Sequence, residues 1–539
     1  MPRRPARPSP RNDRSQPINA SPTMKKLIIC NDGTWNTADQ EENGIPTPTN
    51  VVKLYHSLAE KDPEGVDQLK YYHPGVGTNG LLDSITGGAL GAGVSKQIQS
   101  AYHWLATHYE RGDQIFIYGF SRGAFIARSL AGFLGRGLLD LRGVEPKEAW
   151  SRVQAAYDQG YRKHATRAED DRAWAGANWV FSHGTDPTPV HFVGVWDTVG
   201  ALGIPDDMEV LNLFDDSDAW KFHDTALGHH IQTARHAMAM DEVRASFTVT
   251  RWSNANQHHD AKEVWFPGVH SDVGGGYANT DLSDGALQWM LDESAKKGLA
   301  LRPGIEAMLK PNPLGILHNS YKGVFAKFRS RPRSVEALVP GKHEAFHSSA
   351  ILRHQQSPIA YPAYRPTRIL AINESRTVDV YADTHWNDIG LYLDAGHKYT
   401  FSATGEWLDS KDACDWRGTE NDEFTAGDII RSAGSLFGKT EALWKKITHN
   451  PSTDFIGTKR VEHFRWFSLV GAIANDCGMD AKMPNDGSPT PHQYVNLPDH
   501  VSTPLLITSP GYLFCFPNDV WSLYDNNHGS VSLTITRTA

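Results

Sequence analysis

Ser121 stands in Gly119-Phe120-Ser121-Arg122-Gly123, a Gly-x-Ser-x-Gly spacing. A serine hydroxyl is a weak nucleophile and needs a base to take its proton. The flanking glycines allow a sharp strand-to-helix turn that presents the hydroxyl above a sheet. Ile115–Tyr118 reads as the strand and Ala124–Leu134 as the helix. The start of that helix directs partial positive charge toward a developing oxyanion, and the Arg122 N–H is one candidate donor. The chemistry implied is acyl transfer, in which serine attacks a carbonyl and the alkoxide of the tetrahedral intermediate is held by N–H groups.

Such a serine needs a base, and the base needs an orienting acid. Asp197 follows the β run Val190–Val195 in Val195-Trp196-Asp197-Thr198-Val199-Gly200, and His270 follows Val264–Phe266 in Pro267-Gly268-Val269-His270-Ser271-Asp272. Serine, then acid, then histidine is the chain order of α/β hydrolases. Asp272 is the runner-up acid. A second oxyanion donor is expected from an early strand–helix loop, where Asn31-Asp32-Gly33-Thr34-Trp35 offers the N–H of Gly33 or Thr34. Asp32 can alternatively brace that loop through its side chain, as in an Asp-Gly turn. Gln257-His258-His259-Asp260 and His229-His230 have no second ligand cluster at a metal-site spacing and read as polar loops.

Elements that could position these residues follow from periodicity. Leu27–Cys30 is a further β run, and Val51, Val52, Leu54, Tyr55 and Leu58 recur at helical spacing after a cap at Thr49 or Asn50. Strands alternating with helices from Met24 to about Tyr364 predict an α/β domain with a mostly parallel sheet covered on both faces. After the Pro-rich stretch at 358–366 the runs Thr377–Tyr381, Gly390–Leu393, Lys398–Ala403, Tyr512–Phe516 and Ser530–Thr536 predict a β-sandwich over 366–539, with a helical insertion near 426–446. Gly434–Thr440 within that insertion lacks one residue of a phosphate-loop spacing.

The chain has 539 residues, 40% hydrophobic and 21% charged, with a formal net charge of -9. That balance argues against a nucleic-acid binder. Residues 1–23 are rich in Arg, Pro and Ser without an apolar core and read as a disordered leader rather than a Sec signal peptide. The chain is expected in the cytoplasm as synthesised, with any export by a non-Sec route. No apolar run is long enough to span a membrane as a helix. The four cysteines show no CxxC spacing.

The runs Ile29–Asn36, Tyr71–Thr78, Gly119–Ala124, Val195–Gly200 and Trp265–Gly275 resemble, in this order, a family of α/β hydrolases that includes type VI secretion phospholipase effectors. The resemblance covers about Met24 to Tyr364. It implies a Ser121–Asp197–His270 triad and lipolytic chemistry on an ester or phospholipid substrate. It leaves acyl chain and head group open. A thioesterase or amidase on the same triad is the neighbouring alternative. The apolar loops Ala201–Pro205 and Leu314–Val324 are candidates for a lid or acyl pocket.

The C-terminal run Asn518-Asp519-Val520-Trp521-Ser522-Leu523-Tyr524-Asp525-Asn526-Asn527-His528-Gly529 clusters oxygen donors suited to Ca²⁺. It resembles the calcium loop of small galactose-binding bacterial lectins. By that resemblance Asp519, Asn526 and Asn527 supply side-chain oxygens, Leu523 a carbonyl, and a residue near Ser410 another. The sugar-contacting His and Gln of those lectins have no counterpart, since the positions fall near Phe424 and Gly427. Calcium is thus the firmer implication, with a glycan or membrane surface as the partner. A calcium-dependent carbohydrate-binding protein on an inactive hydrolase scaffold is the alternative from another class.

Overall fold

The computed structural model describes residues 24–33, 36, 39–75, 87–162, 178–182, 188–200, 225–327, 329–339, 344–356, 364, 366–409, 412–419, 459–475 and 492–539. The leader, the insertion expected near 426–446, the 201–205 loop and the positions Thr34, Ser410, Phe424 and Gly427 lie outside them.

Six parallel strands form the first sheet: β1 (Lys26–Asn31), β2 (Gln68–His73), β3 (Gln114–Phe120), β4 (Phe192–Trp196), β5 (Ala234–Ala239) and β6 (Ala261–Phe266). Their spatial order is β6-β5-β4-β3-β1-β2. Alternate residues of each strand face opposite sides. Leu27, Ile29, Ile115 and Ile117 pack with Tyr102 and Leu130, which lie on helices α2 (Gly87–His108) and α3 (Arg122–Leu134). Ile28, Cys30, Phe116 and Tyr118 pack on the other face with Leu54 and Leu287, on α1 (Asn50–Ser57) and α5 (Asp281–Ala295), α4 (His270–Gly274) lying between β6 and α5. Burial on both faces is why LIIC and IFIY are continuous apolar runs. Thr49 caps α1, its side chain accepting from the Val52 N–H. The strand order reverses between β1 and β3, and in such sheets sites form at the carboxyl ends beside that reversal. The 31–33 loop and Ser121 both lie there.

Strand β5 carries Arg235 and His236 where apolar residues would be expected. Both are buried and paired: Arg235 Nε lies 2.5 Å from Glu293 Oε2, Arg235 Nη2 2.8 Å from Asp260 Oδ1, and His236 Nδ1 3.1 Å from Glu263 Oε1. The Asp260 of the Gln-His-His-Asp run is thereby a structural ion-pair partner.

The C-terminal part is two antiparallel sheets. In one, β14 (Asn527–Arg537) pairs with β7 (Ser375–Tyr381), β9 (Lys398–Thr404) and β10 (Trp407–Asp409). The other has the order β8 (Asn387–Leu393), β13 (Gly511–Pro517), β11 (Leu469–Ala474), β12 (Gln493–Asn496). Phe401, Trp407, Leu533, Ile473, Leu513 and Cys515 fill the space between them. The second sheet is buried on its outer face too. There Tyr512, Phe514, Phe516, Val470 and Ala472 share one core with Met238, Met240, Trp265, Leu338 and Phe346 of the α/β part. Leu338 N–H also donates to Tyr512 Oη at 3.0 Å.

This shared core makes the sandwich a supporting wall of the α/β sheet. Residues 24–365 expressed alone are expected to aggregate and to bind a hydrophobic dye, because Trp265, Met238 and Phe346 lose their cover. A soluble fragment with a cooperative melt at the full chain's Tm would contradict that expectation.

Candidate active site

The turn at Ser121 is set by two close backbone approaches. A Cβ on Gly119 would lie 2.2 Å from the Gly123 carbonyl oxygen, and one on Gly123 would lie 2.2 Å from that of Asn31. Only glycine fits either place. Between them Ser121 takes φ 58 and ψ -124, outside the common regions for a residue with a side chain. The turn is held on both sides. Ser121 N–H donates to the Trp196 carbonyl at 3.1 Å, and the Ser121 carbonyl accepts from Ala124 N–H at 3.0 Å. Helix α3 begins at Arg122, so the Arg122 N–H belongs to its first turn. Ser121 is buried, and the Gly33 backbone lies against it, since a Cβ built there would stand 3.3 Å from Ser121 Cβ.

Asp197 follows β4 with φ 39 and is fully buried. Its Oδ2 lies 2.5 Å from His270 Nδ1. Oδ1 accepts from the Ala239 N–H at 2.8 Å and from Arg333 Nη1 at 2.6 Å, and Oδ2 also accepts from Arg333 Nη2 at 2.9 Å. Burial opposes ionisation of this carboxyl, but the Arg333 charge and the bonds from His270 and Arg333 outweigh it and hold it well below the usual carboxylate range. The carboxylate has no proton to donate, so His270 Nδ1 carries one and a neutral His270 is left with Nε2 as an acceptor. Burial lowers the His270 pKa, with Asp197 acting the other way. The ring lies 4.5 Å from that of Phe120, the neighbour of Ser121, and edge-on to Phe247 at 4.9 Å. Behind Asp197 the Thr198 N–H donates to His236 Nε2 at 3.1 Å, fixing the turn that the left-handed Asp197 needs.

The structure brings Ser121, Asp197, His270 and the 31–33 loop to one edge of the sheet. Two readings of the residues are refined. Asp272 does not face His270: its Oδ1 lies 2.6 Å from His318 Nδ1 and its Oδ2 accepts the Val269 and His318 N–H groups at 3.1 Å, because α4 turns it toward its own cap and the 314–324 loop. The Gly33 N–H donates to Asp32 Oδ1 at 2.7 Å and is engaged within its own loop. Asp32 also accepts from Thr49 Oγ1 at 2.9 Å and Tyr72 Oη at 2.8 Å. It braces the loop, and burial lifts its pKa to about 6 against those hydrogen bonds.

Arg333, Glu242, His318 and Ser320 also meet around Asp197 and His270, and none of them carries a signal in the sequence pattern. Arg333 comes from an irregular segment far along the chain from Asp197. Glu242, after β5, accepts the His270 N–H at 3.2 Å and Ser320 Oγ at 2.8 Å. His318 and Ser320 thus tie the 314–324 loop to both sides of the histidine. That loop is fastened at its polar residues, while Ile316 remains exposed.

In the sandwich, Asp519 and Asn527 meet: Asn527 Nδ2 donates to Asp519 Oδ2 at 2.9 Å. Asn526 Nδ2 donates at 2.8 Å to Oδ1 of Asp409, the residue beside Ser410. Among the described residues, the Oδ1 atoms of Asn526 and Asn527 are buried and find no hydrogen-bond partner. Burial, and then the Asp409 charge, push Asp519 up to about 7. Leu523 lies in the 3₁₀ turn Trp521–Asn526 that joins the two halves of this loop.

Residues 25–293 match the family described as T6SS, phospholipase effector Tle1-like, catalytic domain, and this part of the chain belongs to that family. The uncharacterized protein YEL023C of Saccharomyces cerevisiae is 32% identical over 257 residues, 44% of this chain and 34% of that protein. The chain therefore spans about a third of the length of that curated relative. Among solved structures, an uncharacterized protein from Pseudomonas aeruginosa aligns at 20% identity and TM-score 0.34 over 57% of this chain and 50% of that one. The Tle1 effector bound to the VgrG spike of the Type 6 secretion system aligns at 18% identity and TM-score 0.28, over 47% and 51% of the two chains.

Asp32→Ala should destabilise the folded chain by about 1–3 kcal/mol for each donor left without an acceptor. The check is chemical denaturation of wild type and variant, where equal midpoints would remove Asp32 as the brace of the loop.

Proposed function

We propose that the chain is a serine ester hydrolase acting on lipid acyl esters, with Ser121 as nucleophile, His270 as general base and acid, and Asp197 as the orienting carboxylate. The observation that carries the reading is the buried 2.5 Å contact between His270 Nδ1 and Asp197 at the sheet edge where Ser121 is presented in a strained turn. Ser121 Oγ attacks the ester carbonyl while His270 Nε2 takes its proton. The imidazolium is stabilised by Asp197 and returns that proton to the leaving alcohol. Water then attacks the acyl-enzyme with His270 again as base. The Arg122 N–H at the start of α3 is one oxyanion donor, and the N–H groups of Gly33 and Thr34 are the candidates for the second. Gly33 could serve only by exchanging its Asp32 partner for the oxyanion. Lipid, as opposed to thioester or amide, follows from the phospholipase-effector-like catalytic family.

A calcium ion in the Asp519 loop is a second proposal. Two buried amide oxygens without partners among the described residues, beside two carboxylates, form a set of hard oxygen donors. Asp519, Asn526 and Asn527 would hold the ion with Asp409, and the Leu523 carbonyl and Ser410 would complete the set. The ion would neutralise the carboxylates, order the loop and let the sandwich face a glycan or membrane surface. It takes no part in the ester chemistry.

Ser121→Ala is expected to abolish release of fatty acid from phospholipid vesicles, and of p-nitrophenol from short esters, with an unchanged melt. Wild-type turnover in that variant would rule the assignment out. The base must be neutral, and burial lowers the pKa of His270, so kcat/KM should fall on the acid side with a midpoint below the ordinary histidine value of 6.5. A midpoint above 6.5 would conflict with the buried His270. Added Ca²⁺ should raise the Tm of the full chain and not that of Asp519→Ala, with short-ester turnover unaffected by chelation. An equal response of both proteins would dismiss the calcium site.

A further inference from the structure

Arg333 lies outside residues 25–293, the span that matches the catalytic family. Its guanidinium is nevertheless buried at the centre of the site. Nη1 and Nη2 grip both oxygens of Asp197, and the same two nitrogens donate to the carbonyls of Ala239 and Phe247. One planar group therefore joins the acid, the end of β5 and the residue whose ring packs edge-on against His270. A bidentate fork fixes the plane of a carboxylate, which an ammonium acting as a point charge cannot do.

We infer that Arg333 is a positioning residue of the ester hydrolase, holding the Asp197 carboxylate in the plane that aims Oδ2 at His270 Nδ1. The inference rests on the triad reading given above. Without the fork, Asp197 keeps bonds from Ala239 and His270 and can rotate about its Cβ–Cγ bond. With it, rotation would break two charge-assisted bonds at once.

The segment that carries Arg333 is held by the C-terminal sandwich. His492 Nε2 lies 2.7 Å from the Pro332 carbonyl, and Trp386 Nε1 donates to the Ser330 carbonyl at 3.1 Å. Trp386 packs against the shared apolar core with the His492 ring edge-on to it, and the Arg331 N–H ties the segment to the Val243 carbonyl at 2.5 Å. The sandwich thus reaches the catalytic acid through the 330–333 segment, which gives it a role in the chemistry besides any surface it binds.

Arg333 also moderates the pull that Asp197 exerts on His270. Among the described residues, the charged groups that act on His270 are Asp197 on one side, with Arg333 bonded to its carboxylate, and Glu242 and Arg244 from the loop after β5. Arg333 offsets the charge of Asp197, so its loss strengthens the pull of the carboxylate on the imidazolium and raises the pH at which His270 becomes neutral.

The test compares wild type, Arg333→Lys and Arg333→Met as full chains on a soluble ester, with Ser121→Ala as the reference for triad-dependent turnover. Arg333→Met is expected to lose about 10²-fold in kcat with KM nearly unchanged, the scale of an ångström-sized misplacement. The acid limb of its kcat/KM profile should move to higher pH. Arg333→Lys keeps the charge and should leave that limb near the wild-type position while kcat still falls. Added guanidinium should restore turnover to the Met variant. If Arg333→Met fails to fold, the Lys variant carries the test through the split between lowered kcat and unmoved limb. Wild-type kcat and pH profile in folded variants would overturn the inference while leaving the triad standing. Wild-type turnover that does not depend on Ser121 would instead overturn the triad reading itself.

Discussion

A carboxylate with no exposure to water must find its hydrogen-bond donors inside the protein, and the geometry around Asp197 is organised by that requirement. Its two oxygens take N–H groups from Ala239, Arg333 and His270. Each donor comes from a different stretch of chain: the end of β5, the segment at 330–333 and the start of α4. Satisfying the charge therefore fixes three loops relative to β4. It also selects the His270 tautomer whose Nε2 can accept a proton. The left-handed backbone at Asp197 costs about 1–3 kcal/mol, and the Thr198–His236–Glu263 chain of bonds is what holds it.

The elbow at Ser121 was legible in the sequence because its constraint is local. Two glycines at fixed spacing, a β run before and an apolar helix after leave one arrangement. The carboxylate and histidine were legible because each follows a short apolar strand in the chain order that the fold imposes. Strand β5 was hidden, since Arg235 and His236 interrupt its apolar run and are tolerated only because Glu293, Asp260 and Glu263 meet them inside the fold. Arg333 was hidden for a similar reason. Nothing local distinguishes it from the neighbouring arginines at 329 and 331, and its role appears only when distant residues are brought together. For the 31–33 loop the sequence left an oxyanion donor and an Asp32 brace as alternatives, and the Asp32 contacts to Gly33, Thr49 and Tyr72 appear only when the fold brings those residues together.

The C-terminal sandwich was recognisable from short β runs separated by turns. Its attachment was not, because a face buried against another domain looks in sequence like any buried strand. β11 and β13 are apolar on both faces, one set filling the sandwich and the other meeting Trp265 and Met240. This joins two features that the sequence keeps apart. The same domain carries the oxygen-rich Asp519–Asn527 loop and, at its interface, holds the segment that carries Arg333.

The most direct test of the account is covalent labelling of the full chain with a fluorophosphonate, read by peptide mass mapping in wild type and His270→Ala. The account predicts a single adduct on Ser121 in wild type, greatly slowed in the variant, because the nucleophile is activated by the base that Asp197 orients. Absence of an adduct on Ser121, or equal labelling rates in the two proteins, would contradict it.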